Sequence, residues 1–112
     1  MKVLVVDDDR TIGRLLSKVL EAPGWTITVA GSLQEAKFHG KPDLLIADLW
    51  LPNGDGRQLQ QTWPGVPMLV ISGRPPDDLA NAPFLAKPFT GVQLREALQL
   101  LLPKVSIPWA SA

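Results

Sequence analysis

The sequence has no cysteine, which excludes disulfides, thiolate zinc sites and cysteine nucleophiles. Its single histidine, His39, leaves no imidazole-rich metal site. Neither sign of charge dominates, because eleven Lys and Arg balance eleven Asp and Glu. The basic surplus of a nucleic-acid binder is missing, so direct nucleic-acid binding is not expected. Apolar runs are short of the ~20 residues of a membrane helix, and no membrane association is expected. The run Val3–Val6 is cut off by Asp7, Asp8 and Asp9, so it is no signal peptide. With 112 residues there is room for one domain, and 46% hydrophobic residues suffice for a core. Proline is plentiful: eleven residues, about twice the usual ~5% share, which points to short, stiff connections.

Apolar runs alternate with amphipathic stretches along the chain. Lys2–Asp7, Asp43–Asp48 and Pro67–Ser72 are continuous apolar segments of the kind buried on both faces of a sheet. Thr26–Ala30 and Phe84–Lys87 read as shorter strands. Between the first two strands Ile12, Leu15, Leu16, Val19 and Leu20 fall on one helical face, with Asp9 as N-cap and Pro23-Gly24 as the stop. Ser32 and Glu35 form the pattern of a capping box for a helix ending near His39-Gly40. Asn53-Gly54-Asp55-Gly56 reads as a turn, and Arg57–Trp63 leaves about two helical turns before Pro64. Thr90 with Gln93 caps a last helix whose Val92, Leu94, Leu98, Leu101 and Leu102 are expected to face inward. Five strand–helix alternations predict an α/β fold, a three-layer doubly wound sandwich on a parallel sheet with shortened helices.

In such sheets ligands bind at the carboxyl ends of the strands. Those positions hold Asp7, Asp8 and Asp9 after the first strand, Asp48 after the third, Ser72 after the fourth and Lys87 after the fifth. Two carboxylates about 4 Å apart repel by roughly 4 kcal/mol at an effective dielectric near 20, which favours a bound cation. Oxygen ligands without His or Cys suit Mg²⁺, which takes one or two carboxylates and a phosphate oxygen. Lys87 and Ser72 then suit the phosphate. Simpler roles are assigned to the neighbours: Asp9 a helix cap, Asp43 and Asp55 turns, Asp77-Asp78 a helix start. His39 is expected exposed and without a role, and Trp63 packs at a helix end.

The stretches VLVVDDD, PDLLIADLWLPNGDG, MLVISG and FLAKPF, in this order, resemble the receiver domain of bacterial two-component response regulators over residues 2–102. The resemblance implies a flavodoxin-like strand order 2-1-3-4-5 and a phosphorylatable signalling switch in the cytoplasm. By the same resemblance Asp48 is the phosphoacceptor, Ser72 the switch hydroxyl, Lys87 the phosphoryl contact and Phe84 the switch aromatic. Mg²⁺ is held by Asp8, Asp48 and the backbone carbonyl of Trp50, with Asp7 acting through water. The bond before Pro88 is cis in the family. The implied partners are a sensor histidine kinase or histidine phosphotransfer protein, an unknown downstream protein, and a second copy of the chain. Trp50 and Arg74, two residues past the acceptor and the switch hydroxyl, would stand at the pocket mouth, with core packing open as the other reading of Trp50.

The sequence departs from the family between Ser72 and Phe84, where residues 73–83 leave at best one turn for the fourth helix. Residues 1–102 are expected to form the receiver domain and 103–112 a tail, with no output domain. Two alternatives stay open. One is a pseudo-receiver, an interaction module that is not switched by phosphorylation. The other is an enzyme on the same architecture, an aspartyl-phosphate phosphatase or a flavodoxin-like protein. Otherwise no enzyme activity is expected beyond the domain's own phosphorylation and dephosphorylation.

Overall fold

Strands that are apolar at every position need cover on both sides, and the chain supplies it with helices on both faces of the sheet. In a computed structural model that describes residues 1–74 and 83–101, five strands form one parallel sheet. They are β1 (Lys2–Val6), β2 (Thr26–Ala30), β3 (Leu44–Asp48), β6 (Met68–Ser72) and β7 (Phe84–Ala86), in the spatial order β2-β1-β3-β6-β7. The helices among the described residues are α1 (Arg10–Val19), α2 (Leu33–His39), α3 (Gln58–Thr62) and α4 (Gly91–Gln99). This is the doubly wound sandwich expected from the alternation, with the flavodoxin-like strand order that the resemblance implies. The turn of helix expected before Phe84, the helix start at Asp77-Asp78, Leu102 and the tail 103–112 lie outside the described residues.

Side-chain alternation along the strands divides the core in two. Val3 and Val5, Leu44 and Ile46, and Leu69 and Ile71 pack with Leu16 and Leu20 of the α1 side and Leu94 and Leu98 of α4. Leu4 and Val6, Leu45 and Ala47, and Met68 and Val70 pack on the other face with Leu33 and Ala36 of α2 and Leu59 of α3.

Capping follows the sequence with one displacement. The Asp9 carboxylate accepts from the Thr11 N–H, and at α4 Thr90 and Gln93 form a reciprocal capping box. At α2 the Ser32 hydroxyl accepts from Glu35 N–H, but Glu35 Oε2 accepts from Gly31 N–H at 3.0 Å instead of from Ser32.

Three further expectations are corrected. The turn expected at Asn53-Gly54-Asp55-Gly56 is instead part of a larger unit: β4 (Trp50–Leu51) and β5 (Gly54–Asp55) pair antiparallel as a two-stranded ribbon. Val92 is 63% exposed, because it precedes Leu94 by two residues and so lies about 200° round the helix from it. His39 is half-buried, with Nε2 3.9 Å from Glu35 Oε1 and its carbonyl accepting from Lys2 Nζ.

Candidate functional site

The parallel register brings the carboxyl ends of all five strands to one edge. Val6 is level with Ala30 and Ala47, Asp48 with Ile71, and Ser72 with Ala86. The residues at or just past these positions are Asp7, Asp8, Asp48, Ser72 and Lys87. Asp7, Asp48 and Ser72 are buried there, whereas Asp8 is exposed.

Lys87 is the centre of charge. Its Nζ lies 2.6 Å from Asp7 Oδ2 and 2.9 Å from Asp48 Oδ2. The Asp48 contact is a hydrogen bond, whereas the ammonium sits off the hydrogen-bonding direction of Asp7 Oδ2 and pairs with it as an ion. Asp7 Oδ1 accepts from Asp9 N–H at 2.9 Å, and Asp48 Oδ1 accepts from Trp50 N–H at 3.1 Å. The Lys87 N–H itself donates to the Ser72 carbonyl, tying the lysine to the neighbouring strand end, and the Lys87–Pro88 bond is cis.

Burial holds the Asp7 carboxyl above the ordinary carboxylate range, and the pull of Lys87 cancels part of that rise. Burial alone would lower Lys87, but its pairing with Asp7 and Asp48 outweighs that and raises the ammonium.

A hard cation fits this donor set. Asp7, Asp8 and Asp48 can each offer an oxygen, with all three atoms within 4.8 Å of one another. Asp7 Oδ2 is buried and makes no hydrogen bond, its charge being met by the Lys87 ammonium at 2.6 Å. On the Asp7–Asp8 side a cleft of about 330 Å³ opens, lined also by Arg10, Gly31 and Glu35. Arg10 and Glu35 were not candidates from the sequence, since each reads there as an ordinary helix residue.

Trp50 leaves the core. It is 46% exposed, its indole Nε1 donates to the Arg74 carbonyl at 2.7 Å, and the Arg74 guanidinium stands 4.5 Å from the ring centroid. The same Arg74 carbonyl accepts from the Ser72 hydroxyl at 3.0 Å, and Arg74 N–H donates back to Ser72 Oγ at 3.1 Å. Phe84, level with Val70 on the neighbouring strand, is half-buried against the core cluster that contains Val70 and Leu59. Gly56 closes the ribbon against the site: its N–H donates to the Leu49 carbonyl, and a Cβ there would overlap the Asp48 carbonyl oxygen. Asp55 and Arg57 form a fork-shaped ion pair at the base of the ribbon, which holds Asp55 below its ordinary range.

The family profile described as the response regulator receiver domain matches residues 3–99. The KDP operon transcriptional regulatory protein KdpE of Escherichia coli is 37% identical over 89% of this chain and 50% of its own length. The transcriptional regulatory protein CssR of Bacillus subtilis is 32% identical over 89% of this chain and 50% of its own. The chain thus spans about half the length of these relatives. Among solved structures, the chemotaxis response regulator CheY4 of Vibrio cholerae superposes with a TM-score of 0.74 at 26% identity, covering 90% of this chain and 98% of that one. The beryllofluoride-activated NtrC4 receiver domain dimer gives 0.76 at 29%, covering 93% and 98%. The profile match over nearly all of the sheet, the relatives and the shared fold agree: this chain belongs to the response regulator receiver domain family.

Proposed function

We propose that the chain is a phosphorylation-driven signalling switch in which Asp48 accepts a phosphoryl group from a phosphohistidine of a sensor histidine kinase or histidine phosphotransfer protein. The observation that carries this reading is the trio Asp7, Asp48 and Lys87, a half-buried ammonium bridging two buried carboxylates at the strand ends. Asp48 is the nucleophile: its carboxylate oxygen forms the new P–O bond as the P–N bond breaks, and the imidazole leaves with the electron pair. An ionised carboxylate needs no general base, so the protein's part is positioning and charge neutralisation. Lys87 moves its ion pair from Asp48 to the phosphoryl oxygens, and Ser72 supplies a hydroxyl to the same group. Asp8, Asp48 and the Trp50 carbonyl would hold Mg²⁺, with Asp7 acting through water. Bound there, the metal supplies positive charge against the phosphoryl oxygens. Phe84 moves with the switch.

On this reading the domain turns over no external substrate beyond its own phosphorylation and dephosphorylation. Its output is an altered docking surface read by another protein in the cytoplasm. Among the described residues no helix is long and apolar enough to cross a membrane.

The test is intact mass after treatment with a small phosphodonor such as acetyl phosphate. A single phosphoryl adduct is expected, lost in EDTA and lost in Asp48→Asn. Equal labelling of Asp48→Asn would overturn the assignment of the acceptor. Failure of the wild type to bind beryllofluoride with Mg²⁺ would favour the unswitched interaction module.

A further inference from the structure

The Ser72 hydroxyl is parked. Fully buried, it donates its proton to the Arg74 carbonyl at 3.0 Å and accepts from the Arg74 N–H at 3.1 Å. To reach a group on Asp48 it must give up the carbonyl. That carbonyl is not free to follow, because the Trp50 indole N–H holds it at 2.7 Å from the ribbon on the other side of the site. The Arg74 guanidinium, stacked 4.5 Å from the indole centroid, fixes the ring in the pose that makes this bond. Trp50 in turn is anchored at its own backbone, whose N–H donates to Asp48 Oδ1. A chain of hydrogen bonds, an open circuit, therefore runs from the Asp48 carboxylate through Trp50 and the Arg74 carbonyl to the hydroxyl.

From this circuit we infer that Trp50 is a positioning residue that latches Ser72 in the resting state. Its indole N–H fixes the Arg74 carbonyl where the hydroxyl finds it, and so opposes the rearrangement that a phosphoryl group on Asp48 demands. The inference rests on the phosphoryl-switch reading. A ligand shifts a two-state equilibrium only by its differential affinity, so removing the latch shows as tighter binding of an activating ligand.

The experiment is calorimetric titration of Mg²⁺-loaded protein with beryllofluoride, in a double-mutant cycle of Trp50→Phe and Ser72→Ala. A second version places benzothienylalanine, a bicyclic ring without the N–H, at position 50. With Ser72 present, loss of the indole N–H is expected to tighten beryllofluoride binding about fivefold, the scale of one net hydrogen bond. In the Ser72→Ala background no hydroxyl is parked, and the same change at position 50 is expected to alter affinity by less than about 1.5-fold. A residue that merely packs or covers the site would give the same effect in both backgrounds. Equal effects, or unchanged or weaker binding in Trp50→Phe, overturn the latch while leaving the switch intact. A wild type that does not bind beryllofluoride overturns both.

Discussion

A buried carboxyl whose ionisation is resisted makes the apo-protein's stability depend on pH in an unusual direction. Asp7 has its folded pKa raised by burial, so its contribution is fully present below the ordinary value of 3.8 and is lost as pH rises through the folded value. Metal-free melting temperature should therefore fall over that interval, and Asp7→Asn should flatten the fall. A wild-type profile identical to that of Asp7→Asn would remove Asp7 from this role. Lys87, also raised, acts at the other end: its stabilisation holds below 10.5 and is lost above its folded value. Mg²⁺ at 100 times its Kd should add about 2.7 kcal/mol by mass action. Asp8→Ala should abolish the metal-dependent rise in Tm, and a rise equal to wild type would exclude Asp8 as a ligand. Gly56 offers a different lesson, since it is set by space: a methyl group there collides with the Asp48 carbonyl. Gly56→Ala should cost about 1–3 kcal/mol, the range of overpacking, and should slow acyl-phosphate formation by displacing the acceptor. Normal Tm and normal labelling in that variant would contradict the close approach.

Helices this short are held by their ends and by one buried stripe. In α4 the Thr90–Gln93 box satisfies backbone donors at the N-terminus, while Leu94, Ala97 and Leu98, with Leu101 just past the helix, fill the core. Thr90→Ala should cost about 1 kcal/mol and lower Tm by several degrees, with the phosphorylation yield at saturation unchanged. An unchanged melt would mean that tertiary packing alone fixes this end. By contrast, α3 has Arg57 at its N-cap with no side-chain cap, and buries Leu59. The ion pair of Asp55 and Arg57 fastens the entry to that helix. Its stabilising effect is present above pH 3.8 and is lost as acid lowers the pH through the depressed Asp55 value.

Over the whole molecule, the sheet is a rigid platform with its mobile possibilities at one edge. Strands β1, β3 and β6 are buried along nearly their full length and should exchange amide protons last. Beryllofluoride should change protection chiefly in the Trp50 ribbon, in β7 and in α4, the elements joined to the site through Trp50 and Lys87. Hydrogen exchange with and without the ligand checks this. Changes confined to α1 and α2 would mean that the signal leaves by the opposite flank.

The strands, the doubly wound architecture and the set of strand-end residues were legible in the sequence because each rests on local rules. Continuous apolar runs announce two-sided burial, proline and glycine mark where elements stop, and a parallel sheet delivers all carboxyl ends to one edge. Tertiary structure decided what depends on contacts between distant segments. Glu35 bonds Gly31 instead of Ser32 because the approach of the chain from β2 sets which N–H is in reach. The ribbon at 50–55 forms because Gly56 lets it fold down onto Asp48, a proximity that no sequence periodicity encodes. Sequence placed Trp50 and Arg74 near the mouth and left the Trp50 side chain undecided between core and rim. Only the packing of two loops from separate strands turned its indole outward onto the carbonyl that also holds Ser72. Local chemistry thus named the residues, and long-range geometry determined which hydrogen-bond partner each one meets.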